Sequence, residues 1–491
     1  MRSALLTLCM ASGLFSGLPL VAYAADAAPS APEQTAANAA ANDRFASVRQ
    51  QIQQALKNSG DPSVAVAVAQ NGKIIWEEAF GWADIEKKIP ATVDTLYSLA
   101  SITKPMTETG LMVLVERGKL DLDAPVNQYL AKDAQMTVWI GDPKEVTLRR
   151  LMNHTAGLPR HENFYQAHEI SSMPAMDESI RRYGNIVTPP GERYRYSNFG
   201  YGILSHVIAR TSGMSYADFM RNEVFLPLGM THSSVGIAPE LAEFAASRYD
   251  ENNQPIPFYS FDHEGASGAW CSMHDLVKFG MFQLGQLAPD QKAILSRETV
   301  AAMNIRGSGG AMGGVYTTLR MVPNQSIVVA VVSNKYCNLP DKVQDIVLSA
   351  VDPGYAERMA QRERRPRNTA ATRDAQPEFK VTPELLGEWE GKVHTYAGNY
   401  SMTLSFKESG EVYAKLEKQL QTLVTDLRFT DGQLTGRMAG RIDTGDTRRR
   451  AWEPEHHIDL DLKLRGDVIN GAVTTIAGNA LSYWVELRKK Y

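Results

Sequence analysis

Ser101 and Lys104 stand three residues apart in the run Ser101-Ile102-Thr103-Lys104. On a helix, residues at that spacing share a face. A serine hydroxyl is a poor nucleophile at neutral pH unless a base lies within hydrogen-bond reach, and a lysine whose pKa is lowered by burial can be that base. Leu111, Leu114 and Val115 continue a helical apolar stripe as far as Gly118, and Pro105 is tolerated only in a first turn, so a helix is expected to begin near Ser101 or Ile102. Ser101 then lies at a helix N-terminus, where unpaired backbone N–H groups and the dipole favour a developing oxyanion. The same residues also admit a plain reading, with Ser101 as an N-cap and Lys104 as a solvated first-turn residue.

Tyr196-Ser197-Asn198 supplies a second chemical element. The pattern Y-x-N also occurs at Tyr183-Gly184-Asn185 and Tyr336-Cys337-Asn338, so the tripeptide alone discriminates nothing. Only the middle copy follows a Pro-Gly turn (Pro190-Gly191) and precedes an apolar helical run, Ile203 to Ile208, which would hold a phenol and an amide rigidly at a loop tip. Beside a cationic lysine, Tyr196 can share the proton of Ser101, and Asn198 can hydrogen-bond both Lys104 and a substrate amide. The alternative is a core tyrosine followed by an asparagine helix cap.

The elements that must position these groups change period along the chain. An amphipathic helix is expected from Asp43 to Leu56, then two strands, Ser63 to Ala69 and Lys73 to Phe80, joined at Asn71-Gly72, a pair that tolerates the positive φ of a tight hairpin. Helical patterns fill Ile102 to about Leu284, and Tyr316 to Met321 and Ile327 to Ser333 form another antiparallel pair. Strands at both ends with helices between, and no regular βαβ alternation, indicate an α/β sandwich spanning residues 43–352. Arg358, Arg362, Arg364, Arg365, Arg367 and Arg373 mark residues 353–381 as a basic connector. Residues 382–491 alternate as strands, most cleanly at Ile458, Leu460, Leu462 and Leu464, and are expected to form a small antiparallel all-β barrel or sandwich.

Composition narrows the function classes. The chain has 491 residues, 44% hydrophobic and 22% charged, with a net charge of −4, so nothing in its global field attracts nucleic acid. Arg2, the apolar stretch Leu5 to Val21 and Ala22-Tyr23-Ala24 read as a signal peptide over residues 1–24, followed by an Ala/Pro-rich tether at 25–42, so a periplasmic or secreted protein without a transmembrane anchor is expected. Cys271 and Cys337 remain as one possible disulfide or two free thiols. The sequence contains no G-x-S-x-G, no G-x-x-x-x-G-K-[ST], no H-E-x-x-H and no C-x-x-C, and adjacent His456 and His457 fall on opposite faces of a strand. No metal or organic cofactor is implied.

The ordered phrases L-Y-S-L-A-S-I-T-K-P (Leu96 to Pro105), T-L-R-R-L-M-N-H-T-A-G-L-P (Thr147 to Pro159) and F-L-P-L-G-M-T (Phe225 to Thr231), with the tyrosine element, resemble the serine β-lactamase-related hydrolases. The branch they are most similar to holds class C β-lactamases, D-aminopeptidases and family VIII esterases. The resemblance covers roughly Phe45 to Asn338. It implies a β-lactamase/transpeptidase-like fold, an acylated Ser101, Lys104 and Tyr196 as the acid/base pair, and Asn198 orienting substrate. The family's third element, a K-T-G or H-x-G triplet, has its match at Gly307-Ser308-Gly309, where the basic residue is missing and Arg306 stands one step outside. The glycine-rich edge would still admit a substrate backbone, and the N–H of Gly310 is expected to complete an oxyanion hole with that of Ser101. Loss of the cation points to an ester, amide or amidated-peptide substrate rather than one held by its carboxylate, and the resemblance leaves a D-amino peptide or, weakly, a β-lactam open as well. His154 is expected to be a satisfied buried histidine, Trp270 and Cys271 to line the cleft or simply pack, and the C-terminal domain to resemble lipocalin-like extensions. A penicillin-binding-like sensor that acylates without turnover, or a wall-binding protein, is the alternative.

Overall fold

Valine and alanine alternate through Ser63–Gln70, and the structure shows why both series are buried. The computed structural model describes residues 44–364, 379–446 and 456–490. The expected signal segment and tether, and residues 365–378 of the basic connector, lie outside them. Helix α1 (Ala46–Ser59) ends at Gly60 in the left-handed region and leads into strands β1 (Ser63–Gln70) and β2 (Lys73–Asp84), with Asn71 and Gly72 at φ 53° and 74° between them, as the hairpin signal requires. The short β3 (Ile89–Pro90) follows, then helices α2 (Thr103–Glu116), α3 (Asn198–Ser212), α4 (Glu264–Ser267) and α5 (Met273–Gln283), strands β4 (Gly307–Met312), β5 (Val315–Val322) and β6 (Ile327–Ser333), and helix α6 (Leu339–Val351). The six strands form one antiparallel sheet in the order β4-β5-β6-β1-β2-β3.

Both faces of this sheet are covered. Val64, Val66 and Val68 pack with Val329 and Val331 against Val48 and Ile52 of α1 and Val343 and Val347 of α6. Ala65, Ala67 and Ala69 share the other face with Val328 and Ala330, in one cluster with Leu276 and Val277 of α5. Small residues there let α5 approach closely. A Cβ on Gly280 would lie 2.3 Å from a Val328 methyl, so this helix position has room only for glycine. The α/β sandwich expected from the strand–helix–strand order is the architecture found.

Within the basic connector Tyr355–Arg364 is a helix, α7, because Ala, Glu, Arg, Met and Gln dominate it and all are good helix formers. Beyond it a nine-stranded antiparallel sheet runs from Gly387–Thr395 to Ala480–Lys489 and curls into a nearly closed barrel, its two end strands Thr422–Leu423 and Thr425–Thr430 being consecutive in the chain. Ile458, Leu460 and Leu462 point into it with Trp389, Leu404, Phe406 and Tyr483, so its interior is a packed core. Asp459, Asp461 and Lys463 alternate outward. No helix among the described residues is long and apolar enough to cross a membrane. Cys271 and Cys337 are free thiols, the first fully buried and within hydrogen-bond distance of Ser233.

Candidate active site

The chain enters the site through a single turn of 3-10 helix, Ala100–Ile102, that runs directly into α2. Ala100 has φ 47° and is fully buried, a conformation that a non-glycine residue holds only when its surroundings enforce it. Pro105 falls in the first turn of α2, where its missing N–H has no partner to lose. Ser101 and Lys104 therefore share one face, with Nζ 3.0 Å from Ser101 Oγ.

Tyr196 and Asn198 arrive from the other side. Ser197 caps α3 by accepting from the Gly200 N–H, so Asn198 is the first helical residue and not the cap. Tyr196 Oη lies 2.8 Å from Ser101 Oγ and is 42% exposed, which removes the core-tyrosine reading. The other two Y-x-N copies do structural work, Tyr183 bonding Asp446 and Tyr316 packing edge-on against Tyr336.

Lys104 is 6% exposed, and its amine donates to Asn198 Oδ1 at 2.8 Å and Ala266 O at 3.1 Å as well as to Ser101 Oγ. Burial pushes its pKa down to about 7, against the opposing pull of Glu162 and Glu108. This value decides its chemistry. A neutral amine keeps two hydrogens and one lone pair; the two oxygens that can only accept, Asn198 Oδ1 and Ala266 O, retain the hydrogens, and the lone pair is left facing Ser101. Burial raises the Tyr196 phenol above its ordinary value, although the bond to Ser101 lowers it, so Tyr196 stays protonated near neutrality.

Several contributors were not singled out from the sequence. Asn198 Nδ2 donates to Glu162 at 3.1 Å, which fixes the amide orientation that offers Oδ1 to Lys104. Glu108, one turn past Lys104 on α2, bonds Tyr201 Oη, which also lies 2.8 Å from Met152 O. Burial raises the Glu108 pKa, while the bond to Tyr201 and the nearby Lys104 amine lower it. The i, i+4 spacing of Lys104 and Glu108 was a readable signal; the Glu162 contact, 36 residues from Asn198, was not. His154 behaves as expected of a satisfied histidine. Its Nδ1 accepts from the Ser197 N–H at 3.1 Å, its ring packs 4.5 Å from that of Tyr196, and burial, with Lys104 nearby, lowers its pKa to about 4.

A search of family models matches residues 48–352 to the beta-lactamase family, well over half of the chain. The chain belongs to the beta-lactamase family. It is 34% identical over 193 residues to penicillin-binding protein 4* of Bacillus subtilis (38% of this chain, 41% of that one), and 27% identical over 292 residues to the human mitochondrial serine beta-lactamase-like protein LACTB (45% and 53%). The chain spans about half the length of the curated relatives it matches. Among solved structures, a class C beta-lactamase superposes with TM-score 0.53 at 21% identity, over 64% of this chain and 98% of that one. An octameric penicillin-binding protein homologue from Pyrococcus abyssi superposes with TM-score 0.52 at 19% identity, over 90% and 99%. These two likenesses show the fold.

In this beta-lactamase-family site the edge strand β4 requires one correction. A Cβ on Gly310 would sit 2.0 Å from Leu99 O and 3.2 Å from the Ser101 nitrogen, so the strand presses its backbone onto the serine turn and only glycine fits. The Met321 N–H donates to Arg306 O, and the register Gly307↔Arg320 to Met312↔Val315 carries that pattern along the strand. Residues 306, 308, 310 and 312 therefore turn their N–H and C=O groups toward β5, whereas Gly307, Gly309 and Ala311 turn theirs outward. The Gly310 N–H is committed to the sheet, and the free donor beside Ser101 is that of Ala311. Ser308 shares the face of Gly310, two residues along, and Arg306 is exposed and bonded to Asn304 at 2.9 Å, so β4 presents no cation to the cleft. Of the other expected residues, Trp270 lines a pocket flanking the site and Cys271 does not.

The barrel grips the loops that carry the site. Asp461 pairs with Arg193 at 3.0 Å and Arg195 at 2.5 Å, immediately before Tyr196. Glu162 and Ala480 exchange two backbone bonds of 2.9 Å, and Asn479 donates to Asn163 at 2.8 Å. Asp461→Ala leaves two arginines facing each other beside Tyr196 and should cost about 2 kcal/mol, breaking a partly buried pair. The expected result is a lower thermal midpoint and a roughly tenfold fall in kcat; an unchanged kcat would show that the barrel does not position Tyr196.

Proposed function

We propose that this protein is an exported serine hydrolase that cleaves an ester, amide or D-amino peptide through a covalent acyl-enzyme on Ser101. The observation that carries the reading is the arrangement around Lys104, whose two fixed acceptors leave its lone pair for the serine hydroxyl. Lys104 takes the proton of Ser101 as Oγ attacks the substrate carbonyl, and the oxyanion is held by the N–H groups of Ser101 and Ala311. The bond to the leaving group breaks, Tyr196 gives that group its phenolic proton, and the Lys104 ammonium reprotonates the phenolate. Water then attacks the acyl carbonyl, one of its protons returns to Ser101 Oγ through the same pair, and the acid departs. The remaining hydrogen on Asn198 Nδ2 is available to a substrate carbonyl. Export rests on the leader-like residues 1–24, and N-terminal sequencing of the mature protein tests it.

The test is intact mass after exposure to a fluorophosphonate, together with release of p-nitrophenol from a short-chain ester. One adduct on Ser101 with steady release supports a turning-over hydrolase; an adduct without release supports the sensor, a reading favoured by the absence of a cation on β4. No adduct refutes both. A pH profile follows from Lys104. The base is active only when neutral, so kcat/KM should rise with pH, reach half its plateau near the value of about 7 set by burial, and stay level until Tyr196 ionises. A profile flat from pH 5 to 9 contradicts Lys104 as the base.

A further inference from the structure

Arg248 is a buried cation on the wall of the pocket that flanks the serine. It is 7% exposed, yet among the described residues no carboxylate pairs with it, and the hydrogen-bond partner of its side chain is the neutral Tyr259 hydroxyl. Aromatic rings hold it instead: the guanidinium carbon lies 3.9 Å over the Tyr259 ring, 5.4 Å from Trp270 and 6.0 Å from Phe258. Cation–π contact offsets part of the desolvation of a guanidinium without using its N–H donors, and the Tyr259 hydroxyl supplies no countercharge. Burial accordingly pulls its pKa down, with Tyr259 opposing.

The surroundings are built to keep it there. Gly314, at φ 78°, has its Cβ position 2.4 Å from the Arg248 Cβ, so the β4–β5 turn closes directly on the arginine stem. Tyr259 Oη donates to Gly313 O in the same turn at 3.0 Å. The cavity has a volume of about 300 Å³ and reaches Met312, next to Ala311, and Ser267, next to the Ala266 carbonyl that receives Lys104. Its lining thus includes the chain neighbours of the Ala311 oxyanion donor and of the carbonyl that holds Lys104. Its other acids do not answer Arg248: Asp262 is taken by His161 at 2.9 Å and His263 at 3.0 Å, and Glu264, which is exposed, forms no ion pair with Arg248. His206, also on the wall, bonds Asp177.

We propose that Arg248 is an anion-recognition site for the acyl portion of the substrate, so that the preferred acyl group carries a carboxylate a few bonds from the scissile carbonyl, as in a half-ester or half-amide of a short dicarboxylic acid. This rests on the acyl-enzyme reading above, and it places the cation that β4 lacks on a different wall of the site. A carboxylate there gains a bidentate, charge-assisted pair in a site shielded from water.

The experiment compares mono-p-nitrophenyl glutarate with its neutral methyl ester in the wild type, Arg248→Gln and Arg248→Lys. In the wild type kcat/KM should favour the free acid by roughly 10- to 100-fold, the range of a hydrogen-bonded charge pair, mainly through KM. The ratio should fall to about 1 in Arg248→Gln and stay intermediate in Arg248→Lys, which keeps a cation without the fork. A wild-type ratio at or below 1, or a preference surviving in Arg248→Gln, overturns the proposal. Titration calorimetry with glutarate separates this from the fate of the catalytic reading. Should neither ester turn over, glutarate binding by the wild type that is lost in Arg248→Gln still supports the site, and equal or absent binding in both refutes it.

Discussion

Ser101→Ala is expected to keep the fold and lower ester turnover by about 10⁴-fold or more, as removal of an acylated nucleophile does when no other group can take its place. The hydroxyl makes two bonds, to Lys104 and Tyr196, and both partners retain others or reach solvent, so its loss strands no buried charge. Circular dichroism and the thermal midpoint should match the wild type while the fluorophosphonate adduct disappears. Residual activity within tenfold of wild type would place the chemistry elsewhere.

Lys104→Met is the second large effect, about 10³-fold in acylation, in the range that general-base removal gives. Methionine fills the same volume and lacks the lone pair that faces Ser101. It also removes the donor to Asn198 Oδ1 and Ala266 O, so a cost of about 1–3 kcal/mol in stability is expected from two acceptors left without a hydrogen. The kinetic and structural effects separate in the pH profile. Loss of the base should abolish the inflection near pH 7 in whatever rate remains, whereas simple loosening of the site would scale the profile and leave its shape. Single-turnover acylation measured from pH 5 to 9 reads this directly, and a retained inflection near 7 would assign the base to another group.

The site's tuning extends beyond the groups that touch substrate. Glu162 fixes Asn198, Asn198 fixes one hydrogen of Lys104, and the barrel fixes Glu162 through paired backbone bonds to Ala480. An appended domain with a side-chain-filled interior thus has a mechanical role available to it. It holds both loops, 158–166 and 190–196, that a β-lactamase-family body must present to its serine.

Sequence by itself determined whatever depends on spacing within one element. Ser101 and Lys104 had to share a face because helical geometry sets the direction of residues three apart, and the valine–alanine alternation of Ser63–Gln70 had to divide between two covered faces because strand side chains alternate. The Asn71-Gly72 turn and the inward run Ile458, Leu460, Leu462 follow from the same local rules. Tertiary structure alone decided the rest. Which Y-x-N copy meets the serine, and that Ala311 rather than Gly310 carries the free N–H, depend on strand register and loop closure over tens to hundreds of residues. The pairing of Asp461 with Arg195 and the isolation of Arg248 among three rings have the same origin. Periodicity says which way a side chain points; only packing says what it meets there.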